Sequence, residues 1–230
     1  MNDLLQNSLF FGGVLTCVAY TLGYQLKQRW KFAIFNPLLV GIVAVILFLL
    51  VFRIDYDTYN EGAKYISYLL TPATVCLALP LYQQFEALKK NFVAIMAGIV
   101  TGAVTSAVCV LLLAVLFHFS HKEYVTLLPK SITTAIGMGI SEELGGFVTI
   151  TVAVIVITGV LGNIMAESVC RLFHIQDAVA RGIAIGSSSH AAGTAKAMEM
   201  GETEGAMSSL SIAVSGLITV LLANIFSNLY

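Results

Sequence analysis

Ser187, Ser188, Ser189 and His190, with Gly186 before them and Gly193 and Thr194 after, form the densest polar group in the 230-residue chain, and they interrupt an apolar stretch. A helix starting near Ser189 or His190 presents free N–H groups and a partial positive charge. The hydroxyls donate and accept, and the glycines let a backbone approach closely. That combination suits a small carboxylate bearing a hydroxyl or keto oxygen. Equally plain uses exist: the serines can cap a kink and bond neighbouring carbonyls, and His190 can cap a helix rather than donate to an anion or carry a proton. Thr71, Pro72 and Thr74 form a second group, for which a simple proline kink is the alternative. Lys130, Ser131, Thr133 and Thr134 form a third, followed by Glu142 and Glu143. Paired acids inside a membrane can carry a coupling proton or ion, and on a short loop they are merely solvated. Asn163 and Glu167 lie four apart, on one helix face, and can act together. Lys196 can counter a substrate charge or reach for the interface.

The elements that must position these residues are apolar. Of the residues 58% are hydrophobic and 11% charged, and 12 Lys+Arg against 13 Asp+Glu leave a net charge of -1. This excludes an ordinary water-soluble enzyme and gives no basic surplus for nucleic acid. Stretches of about 20 apolar residues span a hydrocarbon layer roughly 30 Å thick. Continuous helices are predicted over about 8–26, 34–52, 92–117, 146–168 and 205–228. Residues 65–84 and 179–200 are apolar but broken, the first by Pro72 and Pro80 and the second by its serine and glycine cluster. Backbone freed at such breaks must be buried in protein or line an aqueous cavity. Residues 128–145 are too short and polar for a comfortable span and read as a re-entrant segment. Cys17, Cys76, Cys109 and Cys170 lie far apart without metal-ligand spacing and read as buried small apolar residues. No phosphate-binding loop, dinucleotide fingerprint, zinc-protease helix or nucleophile elbow is present, so no enzyme, cofactor or metal is expected.

The order of elements hints at duplication. A long helix, a broken helix and a long helix occupy 34–117, and the same succession occupies 146–230, with 1–33 as a first helix and loop and 118–145 as the connection. The expectation is an all-α, polytopic membrane helix bundle forming a single transmembrane domain of two inverted repeats, each containing a discontinuous helix. Such a pattern is that of a secondary transporter with its site at the repeat interface. If 128–145 does not cross, seven crossings place Lys27, Arg29, Lys31, Lys89, Lys90, Arg171 and Arg181 inside and Arg53, Lys64, Lys122 and Lys130 outside. The positive-inside rule then sets the amino terminus out and the carboxyl terminus in.

Asn36-Pro37-Leu38-Leu39, Thr71-Pro72-Ala73-Thr74 through Pro80-Leu81-Tyr82, Pro129-Lys130-Ser131 through Glu142-Glu143-Leu144-Gly145-Gly146, and Ser189-His190-Ala191-Ala192-Gly193-Thr194 together resemble the LrgB/CidB family. The resemblance covers nearly the whole chain. One departure is Ala135, where the family pattern has a proline after the paired threonines. The resemblance implies a bacterial inner-membrane protein, an LrgA/CidA-like small membrane subunit as partner, and one of two functions. One is a carrier of small monocarboxylates of the pyruvate, glycolate or glycerate class; the other is a holin/antiholin-like regulator of murein hydrolase activity and cell lysis. The repeat and the two polar breaks favour the carrier, with a homo-oligomer expected.

Overall fold

The computed structural model describes residues 8, 10–30, 35–76 and 78–230; within them, the side chains of Leu70, Thr71, Thr74, Ala78, Pro80, Leu81, Ala87 and Leu88 lie outside what is described. The described residues are helical, and they separate into two compact units, Met1–Cys76 and Leu77–Tyr230. This is an all-α membrane helix bundle.

In the first unit, α1 (Phe11–Trp30) packs on α2 (Pro37–Phe52) and α3 (Tyr56–Ser67), and α4 (Leu70–Cys76) follows. Asn36 starts α2 by accepting from the amides of Leu38 (2.9 Å) and Leu39, with Pro37 at the first helical position where no amide is needed. Gly12 lies directly under the Tyr59 carbonyl, and any side chain there would displace α3. Tyr59 answers with its hydroxyl, 2.7 Å from Thr16 Oγ1.

The second unit begins with the short helices α5 (Ala78–Gln83) and α6 (Phe85–Lys90). With α4 they make the predicted break over 65–84 a run of short helices. Then come α7 (Phe92–Phe117), α8 (His121–Leu127), α9 (Thr134–Glu143), α10 (Val148–Leu172), α11 (Ala178–Met200) and α12 (Glu202–Ser227). Helices α7, α10 and α12 are long and apolar enough to cross a membrane. Their outer faces show why: Leu112, Leu116, Leu161, Leu217 and Leu221 are all more than half exposed, as side chains meant for lipid are. Of the four cysteines only Cys170 is buried; against the sequence expectation Cys17 and Cys109 are exposed because each lines an open groove, and Cys76 is exposed at the end of α4.

Contacts fix the directions of the long helices. Ile95 and Ile99 near the start of α7 share a cluster with Ala206 and Met207 near the start of α12. Farther along α7, Val110 and Ala114 share another with Ala223 and Phe226 near the end of α12, so the two helices run parallel, where inverted repeats over 34–117 and 146–230 would set them antiparallel. Helix α10 runs the other way, since its first turn meets Thr126 just beyond the end of α7.

Candidate functional site

Helix α11 is not a rod. His190, with φ 42° and ψ -141°, breaks it. Residues equally distant from His190 meet the same places on α12: Gly182 and Met198 lie against Glu204–Met207, and Gly186 and Thr194 against Ser208. Gly193 also lies against Ile185, which a straight helix would hold about 12 Å away. The chain therefore doubles back, and α11 is a hairpin of two helical arms with its tip at Ser189–His190. Asp177 starts the first arm by accepting from the Ala180 amide at 2.8 Å. Positive φ in a histidine costs on the order of 1–3 kcal/mol and persists only when the surroundings enforce it. Here the ring Nε2 donates to the Ile155 carbonyl at 2.9 Å, Thr194 Oγ1 donates to the His190 carbonyl at 2.9 Å, and Asn163 Nδ2 donates to the Ala192 carbonyl at 2.6 Å.

Helices α8 and α9 make a second hairpin, entering from the opposite end of α7. Ser120 opens it with a capping box to Glu123, and Pro129–Thr133 turn it. Its arms are held together where Thr151 Oγ1 reaches both the Thr126 carbonyl at 2.9 Å and Ser141 Oγ at 2.7 Å.

The two tips approach the same stretch of each long helix. On α7, Ser106 Oγ lies 2.9 Å from Ser131 Oγ, and one turn earlier Gly102 adjoins Ser187. On α10, Ile155 touches Gly137 of one hairpin and takes the His190 bond of the other. On α12, Ser211 adjoins Gly186 and Gly216 adjoins Ile136. Between those two contacts sits Ser215, whose buried hydroxyl has no partner among the described residues.

A cleft of about 780 Å³ runs beside this junction, between α7 and the first arm of α11. Asn91 and Asp177 stand at its mouth, Thr101, Thr105, Ser187 and Ser188 along its walls, and Lys130 and Ser131 at its inner end. Sequence reasoning named Lys130, Ser131, Ser187 and Ser188, and the structure brings these four together. It missed Thr101, Thr105 and Ser106, whose polar groups at helical spacing on one face of α7 were the available signal.

The other candidates are dispersed. Ser189 faces a smaller cavity toward Gly162 and Met165, Gly193 is buried between the two arms of α11, and Thr194 is buried against Ser208 of α12. Ser187 and Ser188 donate to the Ile183 and Ala184 carbonyls, both at 2.7 Å, so toward the cleft they can accept from a substrate hydroxyl and have no proton for its carboxylate. Thr133 and Thr134 begin α9, and Glu142 and Glu143 stand at its far end. Glu167 lies beyond the other end of the junction, 3.4 Å from Lys196, which also meets Glu199 at 3.3 Å. Lys196 is thus engaged by acids. Pro72 is exposed in the first unit.

The hairpin also corrects the count of crossings. A segment that returns to its starting end adds no crossing, so α12 leaves from the end that carries Arg171 and Arg181. The carboxyl terminus lies at the opposite end, where His121 Nδ1 is 3.1 Å from the Tyr230 carbonyl oxygen. This does not support the expected carboxyl terminus on the basic side.

The profile of the LrgB-like family matches residues 16–229. The chain belongs to the LrgB-like family. It is 38% identical over 222 residues to the holin-like protein CidB of Staphylococcus aureus strain Mu50, covering 96% of each chain. It has the same identity and coverage against the holin-like protein CidB of Staphylococcus epidermidis strain ATCC 12228. Against the antiholin-like protein LrgB of Bacillus mycoides it is 37% identical over 218 residues, covering 94% of this chain and 95% of that one. No solved structure matches. In this LrgB-like chain the motifs singled out in the sequence, Pro129–Ser131 and Ser189–Thr194, are the turns of the two hairpins.

Proposed function

We propose that this chain is a non-enzymatic, holin/antiholin-like bacterial inner-membrane protein that regulates murein hydrolase activity and cell lysis. The supporting observation is the 38% identity across 96% of both chains to a protein named holin-like CidB. The test is controlled expression in a bacterium stripped of its own relatives, reading autolysis rate and murein hydrolase bands in zymograms. A changed lysis profile supports the reading, and unchanged autolysis and hydrolase activity sink it.

A second reading, carriage of small monocarboxylates of the pyruvate, glycolate or glycerate class, is favoured by the hydroxyl-lined cleft ending on Lys130. Arms of seven residues in α8 and about ten to twelve in the others rise about 10–18 Å into a hydrocarbon layer roughly 30 Å thick, so hairpins entering from opposite ends put their tips toward its middle. In this reading the end bearing Lys89, Lys90, Arg171 and Arg181 is cytoplasmic. Ser187, Ser188, Lys130 and Ser131 meet the substrate, and Ser189, Gly193, Thr194, Thr133 and Thr134 shape the tips. Thr71, Pro72 and Thr74 of the first unit stay candidates for substrate binding in the same proposal. His190, Asn163, Glu167, Glu142 and Glu143 remain the candidates for coupling. An LrgA/CidA-like small subunit and a homo-oligomer belong to the same proposal. Saturable uptake of labelled pyruvate by proteoliposomes, driven by a proton gradient, supports it; unsaturable leakage of solutes of many sizes overturns it.

A further inference from the structure

Lys130 differs from the other cations around the junction. Lys196 is matched by Glu167 and Glu199, and Arg181 by Glu204 at 3.7 Å. Lys130 has no carboxylate within ion-pair distance among the described residues; its Nζ donates to Ser131 Oγ at 3.1 Å. An ammonium carries three donors, so two are left over. Three described acids bear on this position without pairing to it. Glu142 and Glu143 stand at the far end of α9, and Asp177 caps α11 at the cleft mouth. Removing an ammonium from water without a counter-charge is costly, and the cost falls when an anion comes to it.

The position is as telling as the charge. Lys130 occupies the turn of one hairpin, at the inner end of a cleft whose walls offer hydroxyls and small side chains. The second arms of both hairpins start at the junction, but their first arms also end there. The helix dipoles therefore largely offset one another, and side-chain charge decides the local potential: the Lys130 ammonium at the inner end, with the Asp177 carboxylate out at the mouth.

We propose that Lys130 is the charge-selecting residue of the cleft: its ammonium, paired with no carboxylate among the described residues, admits singly charged anions to the inner end and rejects cations there. This deepens the carrier reading and rests on the cleft being open to solutes. Cys109 lines the same cleft and is exposed, so it supplies a probe that needs no transport assay.

The experiment uses the full chain in lipid vesicles with Cys17, Cys76 and Cys170 replaced by serine. The rates at which Cys109 reacts with anionic sulfonatoethyl and cationic trimethylammonioethyl methanethiosulfonate are compared with those of a free thiol. The expected result is about a tenfold preference for the anionic reagent over that standard. Lys130→Arg keeps the preference, Lys130→Gln removes it, and Lys130→Glu reverses it; sodium acetate slows labelling only where the cation is present. Matching thermal melts of Lys130→Arg and Lys130→Gln show that folding is not what changed. Labelling without charge preference, or a preference that survives Lys130→Gln, overturns the role of Lys130 and leaves the carrier reading standing. No labelling by either reagent overturns both, because the cleft is then closed to solutes.

Discussion

The two hairpins of the second unit solve the same problem by different means. The α8–α9 hairpin is pinned by bulk and by long-range hydrogen bonds. Tyr124, Val125, Leu128 and Ile132 are buried against α7 and α12, and the Tyr124 hydroxyl donates to the Phe226 carbonyl at 3.0 Å. The α11 hairpin also has long-range bonds, from His190 to Ile155 and from Asn163 to Ala192, but it is seated on glycines: Gly98 and Gly102 of α7, Gly159 and Gly162 of α10, and its own Gly182 and Gly186 against α12. Close backbone approach gives the second hairpin extensive contact around the packed side chains of Ile183 and Ile185. Equal depth therefore does not mean equal fixity: one tip is locked by what protrudes, the other by what is missing.

Adding side chains to the glycine seam tests this most severely. A Cβ at Gly186 would lie 2.7 Å from Ser208 Cα, which cannot step aside as a flexible side chain does. Gly186→Leu is expected to cost about 3 kcal/mol or more, read as a fall in the thermal midpoint of the detergent-solubilised protein. An unchanged midpoint would show that the seam is loose. Next comes the pinned hairpin: Thr151→Val breaks the bonds to Thr126 and Ser141 and should cost about 1–3 kcal/mol. Tyr124→Phe, which leaves the Phe226 carbonyl unbonded by the ring, should cost about 1 kcal/mol in the same melt. If both are silent, bulk alone does the pinning.

A smaller effect of opposite sign is expected at Gly139 in α9, where a Cβ would meet nothing within 4 Å. Gly139→Ala should raise stability by about 0.5–1 kcal/mol through helix propensity, and a loss there would contradict the contrast with Gly186. The smallest effect concerns Glu123, whose carboxyl is held below the usual carboxylate range by hydrogen bonds from the backbone and then the hydroxyl of Ser120. A depressed value in the folded state means the contribution is present above the unfolded value and is lost as pH falls through the folded one. Melts taken from neutral pH down past the carboxylate range should therefore lose a small increment that Glu123→Gln does not show.

Sequence reading located the long helices well, because uniform apolar runs admit few other structures; the predicted 92–117 helix is α7, Phe92–Phe117. It located the break at His190 for a similar reason, since serines and glycines are dense there. It could not distinguish a kink from a reversal, because both have the same composition and differ in the dihedral angles of one residue. Nor could it place Lys130 beside Ser187 and Ser188, residues more than fifty positions apart that meet only through two hairpins entering from opposite ends. Thr101, Thr105 and Ser106 were hidden by the apolar helix around them. The described backbone from Leu70 to Lys90 is a succession of short helices, in keeping with prolines that interrupt a helical run.

A single reversed residue also settles a question of parity. Because the chain turns at His190 and returns, everything after Met200 emerges on the face opposite to the one a continuous rod would give. Reporter fusions or antibodies aimed at the tail should therefore detect it in the same compartment as the short link after Phe117.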